Sequence, residues 1–253
     1  MLKGIENAIT KGDALFRHFF KPTKETLPIP PEEMRQRVRK GAAKSSEFIR
    51  EGKQVFRAIT ALGSKNGISF DSIRILEFGV GCGRIARHFF HSGHASFAGA
   101  DVDKQMIDWC NANLATHDER FTFFTNNYLP PLNLGEQSID LAFSISVFTH
   151  LSGEDQKLWF DEICRVLGPG GFLIATFIEE DPKSLVSGVS TTTRNDPTIP
   201  REWLGRDGAP DQYLTTRSSL QWFTGLAEDR FDTIDVESLA IRNKQTIVLF
   251  RKK

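Results

Sequence analysis

Between residues 77 and 83 this chain of 253 residues places one carboxylate and three alternate glycines, Glu77, Gly79, Gly81 and Gly83. Glycine accepts positive φ and lets the backbone approach a ligand closely, so the spacing describes a tight turn built around a pocket. A dinucleotide fingerprint would carry a further glycine two places later, and here there is none. The acid at Glu77 would repel a pyrophosphate and attract a cationic amine.

Other chemistry-bearing residues follow. Asp101 lies 24 residues past Glu77, close to the roughly 20-residue gap at which a strand-end acid meets a ribose in doubly wound nucleotide folds. It is read as a ligand group, because Asp103 is the better placed helix cap. Asn126 and Asn127 either read a base edge or make a turn. Ser144, Ser146 and His150 follow a later apolar run. His150 has the ordinary imidazole affinity for a proton near neutrality, so it is either a general base or a structural histidine bonding its loop. Glu179-Glu180-Asp181 offers carboxylates to a cationic acceptor or a divalent metal, but solvated loop acids explain it as well. His88, His91 and His94 sit where a helix dipole favours positive charge, and no metal is assigned.

The elements that position these residues can be read from periodicity. Ile73 to Phe78 is a buried strand; after the glycines, Ile85, Ala86, Phe89 and Phe90 resume at helical spacing, which predicts a helix N-terminus with free N–H groups. Strands are expected at Ser96–Asp101, Phe121–Thr125, Ile139–Ser144 and Phe172–Ile178. Helices alternate with them: Asp103 caps one with Met106, Ile107, Cys110 and Leu114 inward, and Ser152 caps another carrying Trp159, Ile163, Val166 and Leu167. This alternation implies a doubly wound, Rossmann-like α/β sheet, mostly parallel. A short helix begins at Ser218 or Ser219, and Phe231–Leu239 with Gln245–Phe250 closes the chain as a hairpin.

Order and spacing carry a resemblance. Glu77-x-Gly79-x-Gly81-x-Gly83 resembles the first motif of class I S-adenosylmethionine-dependent methyltransferases, and the likeness continues through Asp101, Ser146-Val147-Phe148-Thr149-His150-Leu151 and Arg165 to Gly171. It implies that Glu77 and the backbone from Phe78 through Val80 to Gly83 and Arg84 hold the methionine end of S-adenosyl-L-methionine. It further implies that Asp101 holds the ribose, that Val102 packs on the adenine, and that Asn126, Asn127, Ser144 and Ser146 complete the cofactor site. The final hairpin matches the family's antiparallel last strand. S-adenosyl-L-homocysteine is then the product. The sulfonium is already an activated methyl donor, so alignment of donor and acceptor, worth roughly 7–11 kcal/mol, is the enzyme's main task. The acceptor is expected to be a small molecule, such as a sugar or metabolite hydroxyl, for which His150 would be the base. The place after the fourth strand reads Ser144-Ile145-Ser146-Val147, which disfavours nucleic-acid amine methylation. The rival readings are a non-catalytic cofactor-binding module and a nicotinamide-dependent oxidoreductase, the latter opposed by Glu77 and the glycine spacing.

Composition sets the frame. The chain suits one α/β domain over 46–253 with an N-terminal arm, 1–45, as candidate lid; the irregular segment 179–212 is read as a substrate-side loop. Three cysteines without paired spacing and the lack of a long apolar run predict a soluble, cytoplasmic protein. Net charge is zero overall, yet residues 1–72 hold 14 Lys and Arg against 8 Asp and Glu, leaving 18 against 24 beyond. This basic arm either is a solvated face or meets an anionic acceptor, and it is too weak a stripe for nucleic acid. Pro31 should open a helix with Glu32 and Glu33 in its first turn, and a second from about Ser46 should end at Gly63 and Gly67.

Overall fold

The computed structural model describes residues 27–38, 44–90, 92–180, 191–194, 214–241 and 244–253. Five helices among them are α1 (Glu32–Val38), α2 (Ser45–Lys65), α3 (Lys104–Asn113), α4 (Gly153–Val166) and α5 (Leu220–Gly225). The strands are β1 (Arg74–Phe78), β2 (Ser96–Asp101), β3 (Phe121–Thr125), β4 (Ile139–Ser144), β5 (Leu167–Glu179), β6 (Thr191–Arg194), β7 (Leu214–Ser218), β8 (Phe231–Ile241) and β9 (Gln245–Lys252).

Strands β3, β2, β1, β4 and β5 lie side by side in that order, all parallel. β9 then runs antiparallel to β5, and β8 pairs with β9. This is the expected doubly wound α/β sheet with an antiparallel C-terminal hairpin. The order reverses between β1 and β4, so the cleft that such a reversal opens lies at the C-terminal ends of those strands.

Both faces are covered, which explains the near-continuous apolar character of β1 and β4. One face packs Phe56, Ile59 and Leu62 of α2 and Ile107 and Cys110 of α3 onto Ile75, Phe97, Leu141 and Phe143. The other packs Trp159, Phe160 and Ile163 of α4 and Phe223 of α5 onto Leu76, Ala98, Ala142 and Phe250. Local caps agree with the chemistry of the caps themselves: Asp103 accepts the N–H of Met106, Ser152 that of Asp155, and Ser219 that of Trp222.

Three expectations are corrected. No α-helix follows the glycine turn; residues 79–85 are turns, and Ala86–His88 forms one short 3-10 turn. The α2 backbone explains the space: Gly52 lies so close to the Arg84 carbonyl that any Cβ there would collide with it. Gly63 does not end α2 but lies inside it, leaving room for the Phe70 ring. Within the segment expected to be irregular, Thr191–Arg194 forms β6, antiparallel to β7, which itself adds to the last two residues of β5. Residues 181–190 and 195–212 of that segment, 1–26 and 39–43 of the arm, and His91 lie outside the described residues. Among the described residues, no helix is long and apolar enough to cross a membrane.

His94 is buried beside Phe97 and Phe121, with its Nδ1 paired to the Ser92 hydroxyl. Burial first, and the Arg120 charge second, push it down to about 4, against the opposing pull of Asp118. A histidine held neutral this way must gain a proton on unfolding. Its stabilising contribution is therefore complete above the ordinary histidine value of about 6.5 and is lost as pH falls from there to about 4. Chemical denaturation of wild type and His94→Gln across that range should show a pH-dependent difference reaching about 3 kcal/mol. Parallel pH profiles would show that His94 is not held neutral.

Candidate active site

The glycine turn is a hub for three separate elements. At Gly79, with φ of 87°, a Cβ would strike the Val147 side chain from the loop after β4. At Gly81, with φ of 54°, a Cβ would come within 2.5 Å of Val38 Cγ1 on α1. Gly83 leaves the equivalent room for Leu114, just past α3. The missing side chains thus make room for protein, in addition to accepting a backbone conformation other residues resist. Sequence spacing alone points to ligand approach and carries no sign of Val38, Val147 or Leu114.

The turn's N–H groups are also spoken for. Gly79 and Val80 both donate to the Ala100 carbonyl, at 2.8 and 3.0 Å, and Gly83 donates to Val80. Gly81 donates to Asp101 Oδ2 at 2.7 Å. These four N–H groups are thus not available to a ligand, and no α-helix start lies behind them to supply the row of donors expected from the sequence.

What the cleft retains is acceptors. Glu77 is the penultimate residue of β1 and is 2 % exposed, and its Oε2 has no partner among the described residues. Burial drives its carboxyl well above the usual range and Asp101 adds to the shift, while Arg84 and the Ala86 N–H oppose it. Asp101 closes β2, where its oxygens accept the N–H groups of Gly81 and Asp103; burial still lifts it to about 6. Val102 beside it is half-buried. Asn126, past the end of β3, is buried with Oδ1 unpartnered, and its amide donates to the Asn127 carbonyl. Asn127 itself is exposed.

The remaining predicted residues separate into two groups. Phe78 turns its ring into the core against Trp159, 4.2 Å between centroids, and Val80 is buried in the opposite core, so only their backbones remain for a ligand. Arg84 is buried beside Glu77. Ser144 is fully buried at the end of β4, its hydroxyl unpartnered. Ser146 holds a left-handed φ of 65°, with its N–H donating to Thr176 Oγ1 and its hydroxyl to Gln245 Oε1. His150 ends a 3-10 turn, Phe148–His150, at the same mouth. Nearby Thr246 donates to Glu179 Oε2. Thr176, Gln245 and Thr246 come together only through the antiparallel pairing of β9 with β5, which no local pattern announces.

The N-terminal strand of chain crosses this turn. Arg87, 7 % exposed, donates to the carbonyls of Leu27 and Pro28 at 2.9 and 2.8 Å. Arg37 of α1 pairs with Asp103 at 2.8 Å and bonds Gln105, two residues of the segment that follows Asp101. Among the described residues no cluster of three His, Cys, Asp or Glu side chains could hold a metal.

Gly81→Val should expel α1 from the turn. Hydrogen exchange at residues 32–38 should accelerate, and the protein should lose about 1–3 kcal/mol of stability. Gly67 is the control, since its φ of 79° faces open space; Gly67→Ala should cost about 1 kcal/mol and leave α1 untouched. Unchanged α1 exchange in Gly81→Val would remove the hub from the account.

Comparison with known proteins agrees with this geometry. Residues 75–171 match the family model described as a methyltransferase domain. Among solved structures, the fold resembles 1,6-didemethyltoxoflavin-N1-methyltransferase of Burkholderia thailandensis, at 17 % identity over 90 % of this chain and 93 % of that one, TM-score 0.60. The glycopeptide N-methyltransferase MtfA superposes with TM-score 0.59 at 14 % identity, over 80 % and 90 % of the chains. An S-adenosylmethionine-dependent methyltransferase of Methanosarcina mazei gives 0.56 at 19 %, over 75 % and 96 %. Residues 75–171 are thus similar to a methyltransferase domain, and the chain shares its fold with these methyltransferases.

Proposed function

We propose that this enzyme transfers the methyl group of S-adenosylmethionine to a small-molecule acceptor, with a hydroxyl as the group methylated. The observation that carries the cofactor half is the acceptor-rich cleft: Glu77 Oε2 and Asn126 Oδ1 are buried without partners, while the N–H groups of Gly79, Val80, Gly81 and Gly83 bond within the protein. Such a cleft suits a cation that brings its own N–H groups. The unpartnered Glu77 oxygen fits an ammonium, Asp101 fits the ribose diol, and Asn126 Oδ1 fits an exocyclic amine.

The cofactor supplies a methyl already activated on a sulfonium. The chain's own residues then have to hold the acceptor in line and exclude water. Ser146, Thr176 and Gln245 form a bonded polar rim above β4 and β5 that suits a polar acceptor. His150 at that rim takes the proton of the acceptor hydroxyl. The N-terminal arm 1–45 acts as lid, supported by the docking of α1 on Gly81, and the segment 179–212 contributes to acceptor choice. Three free cysteines fit a reducing, cytoplasmic setting.

Calorimetry should show binding of S-adenosylmethionine and S-adenosylhomocysteine and none of nicotinamide dinucleotides. Asp101→Ala should lose roughly 10- to 150-fold in cofactor affinity, the worth of a charge-assisted hydrogen bond. Folded Asp101→Ala protein that binds within about twofold of wild type would remove the ribose assignment. Once an acceptor is in hand, His150→Asn should lower kcat by about 10²–10⁴ with cofactor affinity intact. An undiminished kcat would exclude His150 as the base.

A further inference from the structure

Glu77, next to last in β1, and Asp101, last in β2, lie on neighbouring parallel strands whose register sets Phe78 beside Ala100, so the two carboxyls share one end of the sheet. Among the described residues the charges facing Glu77 are few. From its own turn comes the Arg84 guanidinium, from β2 the Asp101 carboxyl, and from α3 the Cys110 thiol, which is neutral when protonated. Asp103 faces Asp101 from the other side, and its charge is met by Arg37 of α1. One guanidinium therefore stands against two buried carboxyls, and ionising both would leave a net negative charge out of water. Burying such a charge costs several kcal/mol, and a carboxyl avoids that cost by keeping its proton.

The two acids are not equivalent. Both Asp101 oxygens accept backbone N–H groups, which favour the ionised form. Glu77 receives the Ala86 N–H and has one oxygen, Oε2, buried with no donor at all.

We propose that the free enzyme keeps a proton on Glu77 and that the entering S-adenosylmethionine cation expels it, so that cofactor uptake is coupled to proton release. The inference rests on the cofactor reading given above. In the step itself the Glu77 O–H bond breaks, its electron pair stays on the carboxylate to face the incoming positive charge, and the proton passes to solvent or buffer. Nothing is oxidised or reduced. The raised proton affinity that burial gives Glu77 has the required direction. Below the free-enzyme value the cofactor must displace a proton, so its affinity rises by up to about tenfold per pH unit. Above that value affinity is flat.

The test is titration calorimetry of the full chain with S-adenosylmethionine and with S-adenosylhomocysteine, in buffers of unlike ionisation heat, from about pH 5.5 to about 8.5. Wild type should release a fraction of a proton that approaches one within this range. Asp101→Asn should bind more weakly and release a smaller fraction of a proton, because one carboxyl then faces one guanidinium, whereas Glu77→Gln should bind with heat independent of buffer. Wild-type heat that is independent of buffer at every pH, or equal release in Glu77→Gln, overturns the proposal while leaving cofactor binding intact. Absence of any isotherm removes the cofactor reading and this inference together. If Glu77→Gln fails to bind, infrared difference spectra of wild type and Asp101→Asn decide the point. Loss of a carboxylic acid carbonyl band on cofactor addition supports it, and no loss overturns it.

Discussion

Three missing side chains hold the site together. Gly79, Gly81 and Gly83 take left-handed backbone, and the volume each leaves empty is filled from a different part of the chain: Val147 after β4, Val38 on α1 and Leu114 beyond α3. A turn built this way is fixed by sterics from three sides. It carries no long helix behind it, yet Phe89 is fully buried, edge-on to Phe56 of α2, and also packs against Phe97 and Phe143. Close packing of this kind transmits small volume changes, which ties the turn to the N-terminal helix and to the loop after β4 at once.

Electrostatics follow from the same turn. The glycine N–H groups bond Ala100, Asp101 and Val80, so the positive charge the turn brings to the cleft is that of Arg84. What faces the cleft is carboxylate and amide oxygen, Glu77, Asp101 and Asn126, tempered by Arg84. A doubly wound sheet serves anionic or cationic ligands according to how such a turn spends its donors. Here the balance favours a cation with donors of its own, consistent with a sulfonium cofactor and contrary to a pyrophosphate. Arg37 and Arg87 use the basic excess of the N-terminal half and the turn to fasten chain across this acidic floor.

Much of this was legible in the sequence where the cause is local. β2, β3 and β4 fall on the expected residues because each apolar run is bounded by turn-forming or capping residues, and Asp103, Ser152 and Ser219 cap helices through bonds within their own first turns. Glu77, the glycines, Asp101 and the loop to His150 lie at or just past the ends of β1, β2 and β4, at the end of the sheet where the strand order reverses. What could not be read depends on contacts between distant segments. The helical spacing of Ile85 to Phe90 suggested an α-helix, but the same residues serve a compact run of turns pressed against Gly52 of α2. Phe78 and Val80 belong to the motif by position while their side chains belong to the two cores. Thr176 and Gln245 join the mouth only through the β5–β9 register, and Gly81 owes its identity partly to Val38, 43 residues earlier.

If the acceptor-rich floor at the ends of β1, β2 and β3 is the cofactor site, a crystal structure of the protein grown with S-adenosylhomocysteine will show density lying along the glycine turn beneath α1, with the amino group within hydrogen-bond reach of Glu77 Oε2 and the ribose diol within reach of Asp101. Density bound elsewhere, or a complex in which Glu77 Oε2 and Asp101 gain no ligand contact, would contradict it.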